Sequence, residues 1–421
     1  MLRSLHSIRR NNVRRMNIFR KNSEVDRPVK KTNYKLTLYS SYIGYITQAV
    51  VNSFAPLLFL TFQSEFGIPL EQITLLVTVN FSVQLIVDLL SMKLIDKIGY
   101  KPCIIAANVF SAAGLICLCS LPYMLPYAYA GILISVFIYA IGGGLLEVLV
   151  SPIVEACPFE NKSGIMSMLH SFYCWGCVLV ALISSGYFAL FGISSWRFLA
   201  AAWALVPIAN MVMFALSPIP KLVPEGKGLS LKELLCTKSV WIFFILMLCA
   251  GAAEQSMSQW ASAFVEAGLG LSKTYSDLAG PCMFSLLMGA SRALYGKFSE
   301  KLPLKSCMIL SCLLCIISYL LATLTGSSVF GLIGCGLCGF SVGILWPGVF
   351  SLCSKEVPRG GTAMFAMMAL GGDLGCDSGP TIVGFISDAS GSMNAGLLSG
   401  IVFPVILIAG LFLLGKIKDK P

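Results

Sequence analysis

Apolar residues along this chain run on for about twenty positions before each polar break, with no strand-like alternation. Twelve such runs can be marked, at roughly 36–62, 72–95, 102–121, 126–152, 164–190, 196–217, 240–266, 274–298, 304–325, 328–353, 360–387 and 394–416. Each matches the roughly 20 residues a helix needs to cross a hydrocarbon layer. A membrane β-barrel would instead show alternating segments of about ten residues. The pattern predicts an all-α polytopic membrane protein of twelve transmembrane helices. The longest internal polar stretch, 218–239, divides the spans six and six. The predicted organisation is a basic tail over 1–35, a six-helix bundle over 36–217, a central loop over 218–239 and a second six-helix bundle over 240–421.

Composition agrees. Of 421 residues, 57% are apolar and only 12% charged, against about 25% charged in a soluble domain. Mean hydropathy is +0.82. A soluble globule cannot hide this much apolar surface, so a secreted enzyme, a nucleic-acid binder and a coiled coil are excluded. The expected partners are membrane lipids, a small-molecule solute and protons, with no nucleic acid, for a monomer without a cofactor.

The net charge of +10 is unevenly placed. Lysines and arginines gather in the N-terminal tail, at Lys93, Lys97, Lys101, Lys162, in the central loop, at Lys297, Lys301, Lys305, Lys355, Arg359 and after Lys416. That is 27 of the 30, all on alternate loops; Arg197 and Lys273 lie on the opposite side and Arg292 within a span. The positive-inside rule then places both termini in the cytoplasm, in a plasma (inner) membrane. Residues 1–23 are Arg-rich and free of acid. They read either as a lipid-touching tail, with Met16 as a possible start, or as an organelle transit peptide.

Sixteen cysteines include three C-x-x-C spacings, Cys174/Cys177, Cys312/Cys315 and Cys335/Cys338. All lie inside apolar runs and lack clustered acids or histidines, so they read as packing residues and no metal site is expected. Gly331, Gly334, Gly336 and Gly339 follow no strand and read as close helix packing rather than a phosphate loop. An enzyme is not expected.

An internal repeat is visible. The loop after span two reads Met92-Lys-Leu-Ile-Asp96-Lys97-Ile-Gly99-Tyr-Lys101; that after span eight reads Gly296-Lys-Phe-Ser-Glu300-Lys301-Leu-Pro303-Leu-Lys305. Acid, base and final lysine match at an offset of 204 residues, and the same offset sets Asp88 against Arg292. A carboxylate at a helix end can pair with a basic side chain or face a helix N-terminus. Asp96, Lys97, Gly99, Lys101, Arg292, Glu300 and Lys301 are therefore the gating candidates. The duplicated turn resembles the signature loop of the major facilitator superfamily. That resemblance implies two pseudo-symmetric six-helix bundles around a central site, working by alternating access.

Ionisable residues inside the spans are Asp88, Glu147, Glu254, Arg292, Asp373 and Asp377; each costs about 2.5–3.5 kcal/mol at the bilayer centre on insertion scales, so each calls for a function. Glu147 follows three glycines and precedes Pro152. A carboxyl there can load a proton from one side and release it to the other. Polar stripes appear at helical spacing: Ser41, Tyr45, Gln48 and Asn52 in span one; Asn80, Gln84 and Asp88 in span two; His170, Tyr173 and Trp175 in span five; Gln255, Gln259, Ser262 and Glu266 in span seven. Such stripes face protein or water rather than lipid. Amides, hydroxyls and indoles suit a sugar, and they also serve as helix–helix contacts. Gln48, Asn52, Asn80, Gln84, Tyr173, Gln255, Gln259, Trp260 and Trp346 are the solute candidates; Glu147, Glu254 and His170 are the proton candidates. Glu254, Asp373 and Asp377 have three uses open to them: a second proton, a cationic solute, or a salt bridge with Arg292.

Leu146-Glu147-x-x-x-Ser151-Pro152, Trp346-Pro347-Gly-Val-Phe350-Ser351-Leu352, Gly384-Phe385-Ile-Ser387-Asp388-Ala389-Ser-Gly391 and the Arg292-to-Lys301 spacing resemble elements of the fucose permease group. The resemblance implies sugar/proton symport with Glu147 in proton coupling. The chain departs from that group in lacking a span-one acid near Asn52 and in carrying His170-x-x-Tyr173 where the group has Gln-x-x-Asn. The expectation is proton-coupled uptake of a small polar solute, a monosaccharide. The alternatives are a proton-antiport exporter, against which the absence of proline between Gly176 and Gly186 counts, and a non-transporting membrane sensor on the same fold.

Overall fold

The computed structural model describes residues 33–221, 228–269, 273–325 and 327–414, with only the helical course for 70, 71, 74, 261–269, 273–281 and 328. The basic tail, Ser262, Glu266 and the lysines after Leu414 lie outside what is described. Residues 34 onward form one compact unit. All regular structure among the described residues is helical.

The twelve spans are α1 (Lys35–Phe66), α2 (Leu70–Ile98), α3 (Tyr100–Met124), α4 (Ala128–Ala156), α5 (Lys162–Phe191), α6 (Trp196–Leu216), α7 (Lys238–Leu269), α8 (Lys273–Phe298), α9 (Leu304–Leu324), α10 (Val329–Glu356), α11 (Gly361–Ser390) and α12 (Met393–Leu414). Helices satisfy their own backbone groups, which is the condition for crossing lipid. Ten are long and apolar enough to span by themselves. α8 and α11 are the other two, and α11 carries Asp373 and Asp377 within its length.

The runs read as continuous, but three spans are broken. A 3₁₀ turn, Ala55–Leu58, interrupts α1 at Pro56. α10 breaks between Val342 and Leu345, just before Pro347. α12 breaks between Ser399 and Val402, just before Pro404. Proline has no N–H to offer the preceding turn, so the ladder yields there. Gly67, Gly99, Gly192 and Gly391 close helices with positive φ of 64°, 99°, 79° and 63°. In the central loop, Leu231–Cys236 is a short helix opened by a capping box between Ser230 and Glu233. The Ser230 hydroxyl and backbone N–H both donate to Glu233, holding its exposed carboxyl below the usual glutamate range.

Packing is tightest where glycines let backbones touch. α3 lies on α4 and α7 on α11. A Cβ on Gly142 of α4 would meet Ala107 O and Ser111 N of α3, each at 2.6 Å, and one on Gly375 of α11 would meet the Leu248 carbonyl of α7. The two sets of six helices meet through α2 against α11 and α5 against α8. These two contacts exchange under a shift of six helices, as the internal repeat requires.

Gly142→Val and Gly375→Val are expected to destabilise the detergent-solubilised protein by about 1–3 kcal/mol or more, because rigid backbone cannot yield. Gly186→Ala, at a site with open space around it, is expected to leave the melting temperature unchanged or raise it. A thermal-shift series on the three variants checks both statements.

Candidate functional site

A cavity of about 110 Å³ lies between the two halves. Gln48 and Asn52 of α1, Gln84 of α2, Glu147 of α4, His170 and Tyr173 of α5, Gln255 and Gln259 of α7, and Trp346 of α10 line it, with Glu254, Arg292, Asp373 and Asp377. Phe81 and Cys376 also line it, and periodicity marked neither. They are apolar or weakly polar residues on faces otherwise like the lipid-facing ones. Asn80 is buried behind the wall and donates to Asn52 Oδ1 at 3.2 Å, beside Gln84 Nε2 at 3.0 Å. Trp260 is outside the lining and donates to Pro380 O at 3.2 Å, tying α7 to α11. Trp175 packs against Gly289 of α8, and Ser41 donates to Thr37 O of its own helix, so neither faces the cavity.

Glu147 is placed by the glycines before it. Gly143 and Gly144 press against Gln84 and Val87 of α2, which brings α4 to the centre. Gln48 Nε2 donates to Glu147 Oε2 at 2.7 Å. This glutamine stands one turn before Asn52. His170 is 4% exposed. Its Nε2 lies 3.2 Å from both Tyr45 Oη and Ser151 Oγ, which are 2.9 Å apart.

Arg292 lies at the centre of the protein, away from the loop it was grouped with. Its Nη2 meets Glu254 Oε2 at 3.0 Å. Nε donates to Gly343 O at 2.7 Å, and Nη1 donates to His170 O at 3.2 Å and Cys174 Sγ at 3.1 Å. One guanidinium therefore joins α8 to α7, α10 and α5. Cys174 is thus a hydrogen-bond acceptor as well as a packing residue. The sixteen cysteines are free thiols, and Cys315 Sγ stands 4.0 Å from Cys338 Sγ.

At the lysine-rich end the halves are joined by side-chain bonds. Thr362, in the first turn of α11, donates to Asp96 Oδ1 at 2.7 Å and lies 2.5 Å from Tyr100 Oη. Asp96 thus faces a helix N-terminus. Gly99, with φ of 99°, makes the turn that sets Tyr100 beside it. Lys101 Nζ donates to Ser217 O at 3.3 Å, within the first half, and Lys97 is exposed. In the second half the bond is made one residue before the expected acid. Asn161 Nδ2, at the α5 N-cap, donates to Ser299 Oγ at 2.8 Å. Glu300 and Lys301 are exposed at the turn. Ser354 Oγ donates to Glu155 Oε1 at 2.9 Å as a third link. Thr362, Asn161 and Ser299 were not marked from sequence; their one signal is position, at the starts of α11 and α5 and in the repeated loop.

The site belongs to a known architecture. The family model of the Major Facilitator Superfamily matches residues 41–380. An uncharacterised MFS-type transporter of Yersinia pestis is 24% identical over 292 residues, covering 68% of this chain and 73% of the relative. The fucose:proton symporter of Escherichia coli superposes with a TM-score of 0.76 at 16% identity, covering 92% of this chain and all of the symporter. The proton:xylose symporter XylE, bound to 6-bromo-6-deoxy-D-glucose, superposes with a TM-score of 0.76 at 12% identity, over 90% and 95% of the two chains. With its twelve spans, repeated loop and central polar cavity, this integral membrane protein belongs to the major facilitator superfamily of transporters.

Proposed function

We propose that the protein takes up a small polar solute, a monosaccharide, together with protons by alternating access. The observation that carries this reading is the position of Glu147. It lines the central cavity, is held by one amide from Gln48, and lies near Asp373 of the opposite half. A carboxyl so placed gains or loses a proton according to which side the cavity opens to, and its charge acts on both halves. Amides at Gln48, Asn52, Gln84, Gln255 and Gln259, with the Tyr173 hydroxyl and the Trp346 face, supply the donors, acceptors and apolar surface of a sugar site. The sugar:proton symporters of the same fold support the substrate class.

The lysine-rich end faces the cytoplasm in this reading, by the positive-inside rule, and both termini lie there in the plasma membrane. The Asp96–Thr362 and Asn161–Ser299 bonds then hold the cytoplasmic side shut, and the cavity serves the outside. Opening inward breaks these bonds and moves α2 against α11 and α5 against α8. Arg292 is the fixed point of that motion, since its partners come from both halves. The membrane potential adds about 2.3 kcal/mol per charge for each 100 mV.

A second reading rests on charge. With Arg292 committed to Glu254, the lining still holds Glu147, Asp373 and Asp377, and Arg292 is its sole Lys or Arg among the described residues. Such a wall also suits an organic cation.

Proton movement on solute addition to proteoliposomes, for a panel of hexoses, deoxyhexoses and amines, separates the readings. External alkalinisation with one sugar is expected; a response to amines alone would replace the sugar with a cation. Glu147→Gln is expected to abolish accumulation against a gradient while keeping solute exchange, and coupling that survives it would remove Glu147 from the proton path. Glu254→Gln leaves a buried guanidinium uncompensated, so a stability loss of about 3–5 kcal/mol is expected in thermal unfolding. Adding Arg292→Met to Glu254→Gln is expected to recover part of that loss while transport stays absent.

A further inference from the structure

Among the described residues, Asp88 is the one intramembrane acid that neither the cavity nor an ion pair accounts for. It lies on α2, is 0% exposed, and neither carboxyl oxygen has a hydrogen-bond partner. It is absent from the cavity lining. The charged groups acting on it are Asp373 of α11, which lies against it, and Glu147 of α4; no basic group is among them. The other helices packed on α2 bring their titratable groups only near its ends: α3 has Tyr100, Lys101 and Cys103 at the lysine-rich end and Cys117, Cys119 and Tyr123 towards the other, and the end of α1 has Glu65, bound to Tyr123 and Trp196. Asp373 lines the cavity, with Asp377 one turn along acting on it in turn. The pair therefore has a wet member and a dry member, contributed by opposite halves.

Two ionised carboxylates cannot be pressed together in a dry interface without a positive charge or a proton between them. The lysine carrying the local positive charge, Lys93, is exposed near the end of α2. No group of three or more His, Cys, Asp or Glu residues among the described residues is suited to a metal ion. A proton fits the geometry: it makes one carboxyl a donor and supplies the partner that Asp88 lacks. The pair sits on the same α2–α11 contact as the Asp96–Thr362 bond, two helical turns deeper.

We propose that Asp88 and Asp373 form a second proton-binding site, in which one proton shared between them allows the two halves to close at the lysine-rich end. The proton arrives from cavity water at Asp373, is held between the carboxyls while α2 and α11 are in contact, and returns to water when they separate. No other bond is made or broken. The proposal rests on the alternating-access reading, but not on Glu147 as a proton carrier or on the identity of the solute.

The test uses the full-length protein in nanodiscs, without solute. Hydrogen exchange at segments 92–101 and 359–365 reports closure of the lysine-rich end, after correction for intrinsic exchange, between about pH 5 and about pH 8. In the wild type, deprotonation at the alkaline end is expected to raise exchange several-fold. Asp88→Asn, neutral at every pH, is expected to stay protected and lose the pH dependence. Asp373→Asn is expected to behave alike, while Glu147→Gln, which removes a charge acting on Asp88, is expected to retain a pH dependence with a displaced midpoint. Infrared spectra give an independent readout that does not require closure. In a Glu147→Gln background, which removes the other proposed proton carrier, the carbonyl stretch of a protonated carboxyl is expected near neutral pH and lost on adding either Asn substitution. A pH-independent wild type, an unchanged pH dependence in both Asn variants, or a band that survives both substitutions would overturn the proposal. A closure that follows sodium instead of pH would also overturn it. Loss of the pH dependence in Glu147→Gln alone would return the switch to the single carboxyl of the proposed transport cycle and leave that cycle standing.

Discussion

The Arg292 guanidinium is the interaction around which the rest of the centre is arranged. It is 3% exposed, so its N–H groups need acceptors inside the protein. It finds them on three other helices: the Glu254 carboxylate on α7, the Gly343 carbonyl on α10, and the His170 carbonyl and Cys174 sulfur on α5. These partners could not be assembled by one bundle alone. The break in α10 has its use here. The helix stops at Val342, and the Gly343 carbonyl beside that break accepts from Arg292. An unbroken helix would offer no such acceptor, because its carbonyls already bond within the ladder.

The same constraint organises the remaining polar residues. Hydrocarbon offers no hydrogen bonds, so polar groups gather where they can answer one another inside the protein, many of them along the seam between the halves. Asn52 accepts from Asn80 and Gln84; Gln48 donates to Glu147; His170, Tyr45 and Ser151 close a triangle. Glycines decide how near these groups come. Gly143 and Gly144 set α4 against α2, and Gly375 sets α11 against α7. A polar seam held by close backbone contact within each half, and by few side-chain bonds between halves, is suited to moving as two bodies. The links at the lysine-rich end are single hydrogen bonds, each worth only about 0.5–1.5 kcal/mol net, so binding events of modest size are enough to open them.

Much of the architecture was legible along the chain. The twelve runs map onto twelve helices, with ends displaced by a few residues. The breaks in α1, α10 and α12 were not read, although Pro56, Pro347 and Pro404 marked them. Most of the polar stripe residues do meet at one cavity, because a 3.6-residue repeat determines which residues share a helix face. Trp260, Trp175 and Ser41 do not, since sharing a helix does not say whether a side chain turns to the cavity or to a neighbouring helix. Glu300 illustrates the limit of the repeat. The loop is duplicated, but its contact with the other half falls to Ser299, one residue earlier.

The sequence by itself determined the number of spans, the loops that carry the lysines, and which residues are too polar to face lipid. These follow from a constraint that acts on each segment separately: its backbone must be satisfied and its charges hidden. Only the tertiary structure decided who meets whom. Glu254 rather than Asp373 neutralises Arg292, Asp373 lies against Asp88, and Thr362 reaches Asp96. Each of those meetings depends on the separation and rotation of helices remote in sequence, and no periodicity within one helix encodes the distance to another.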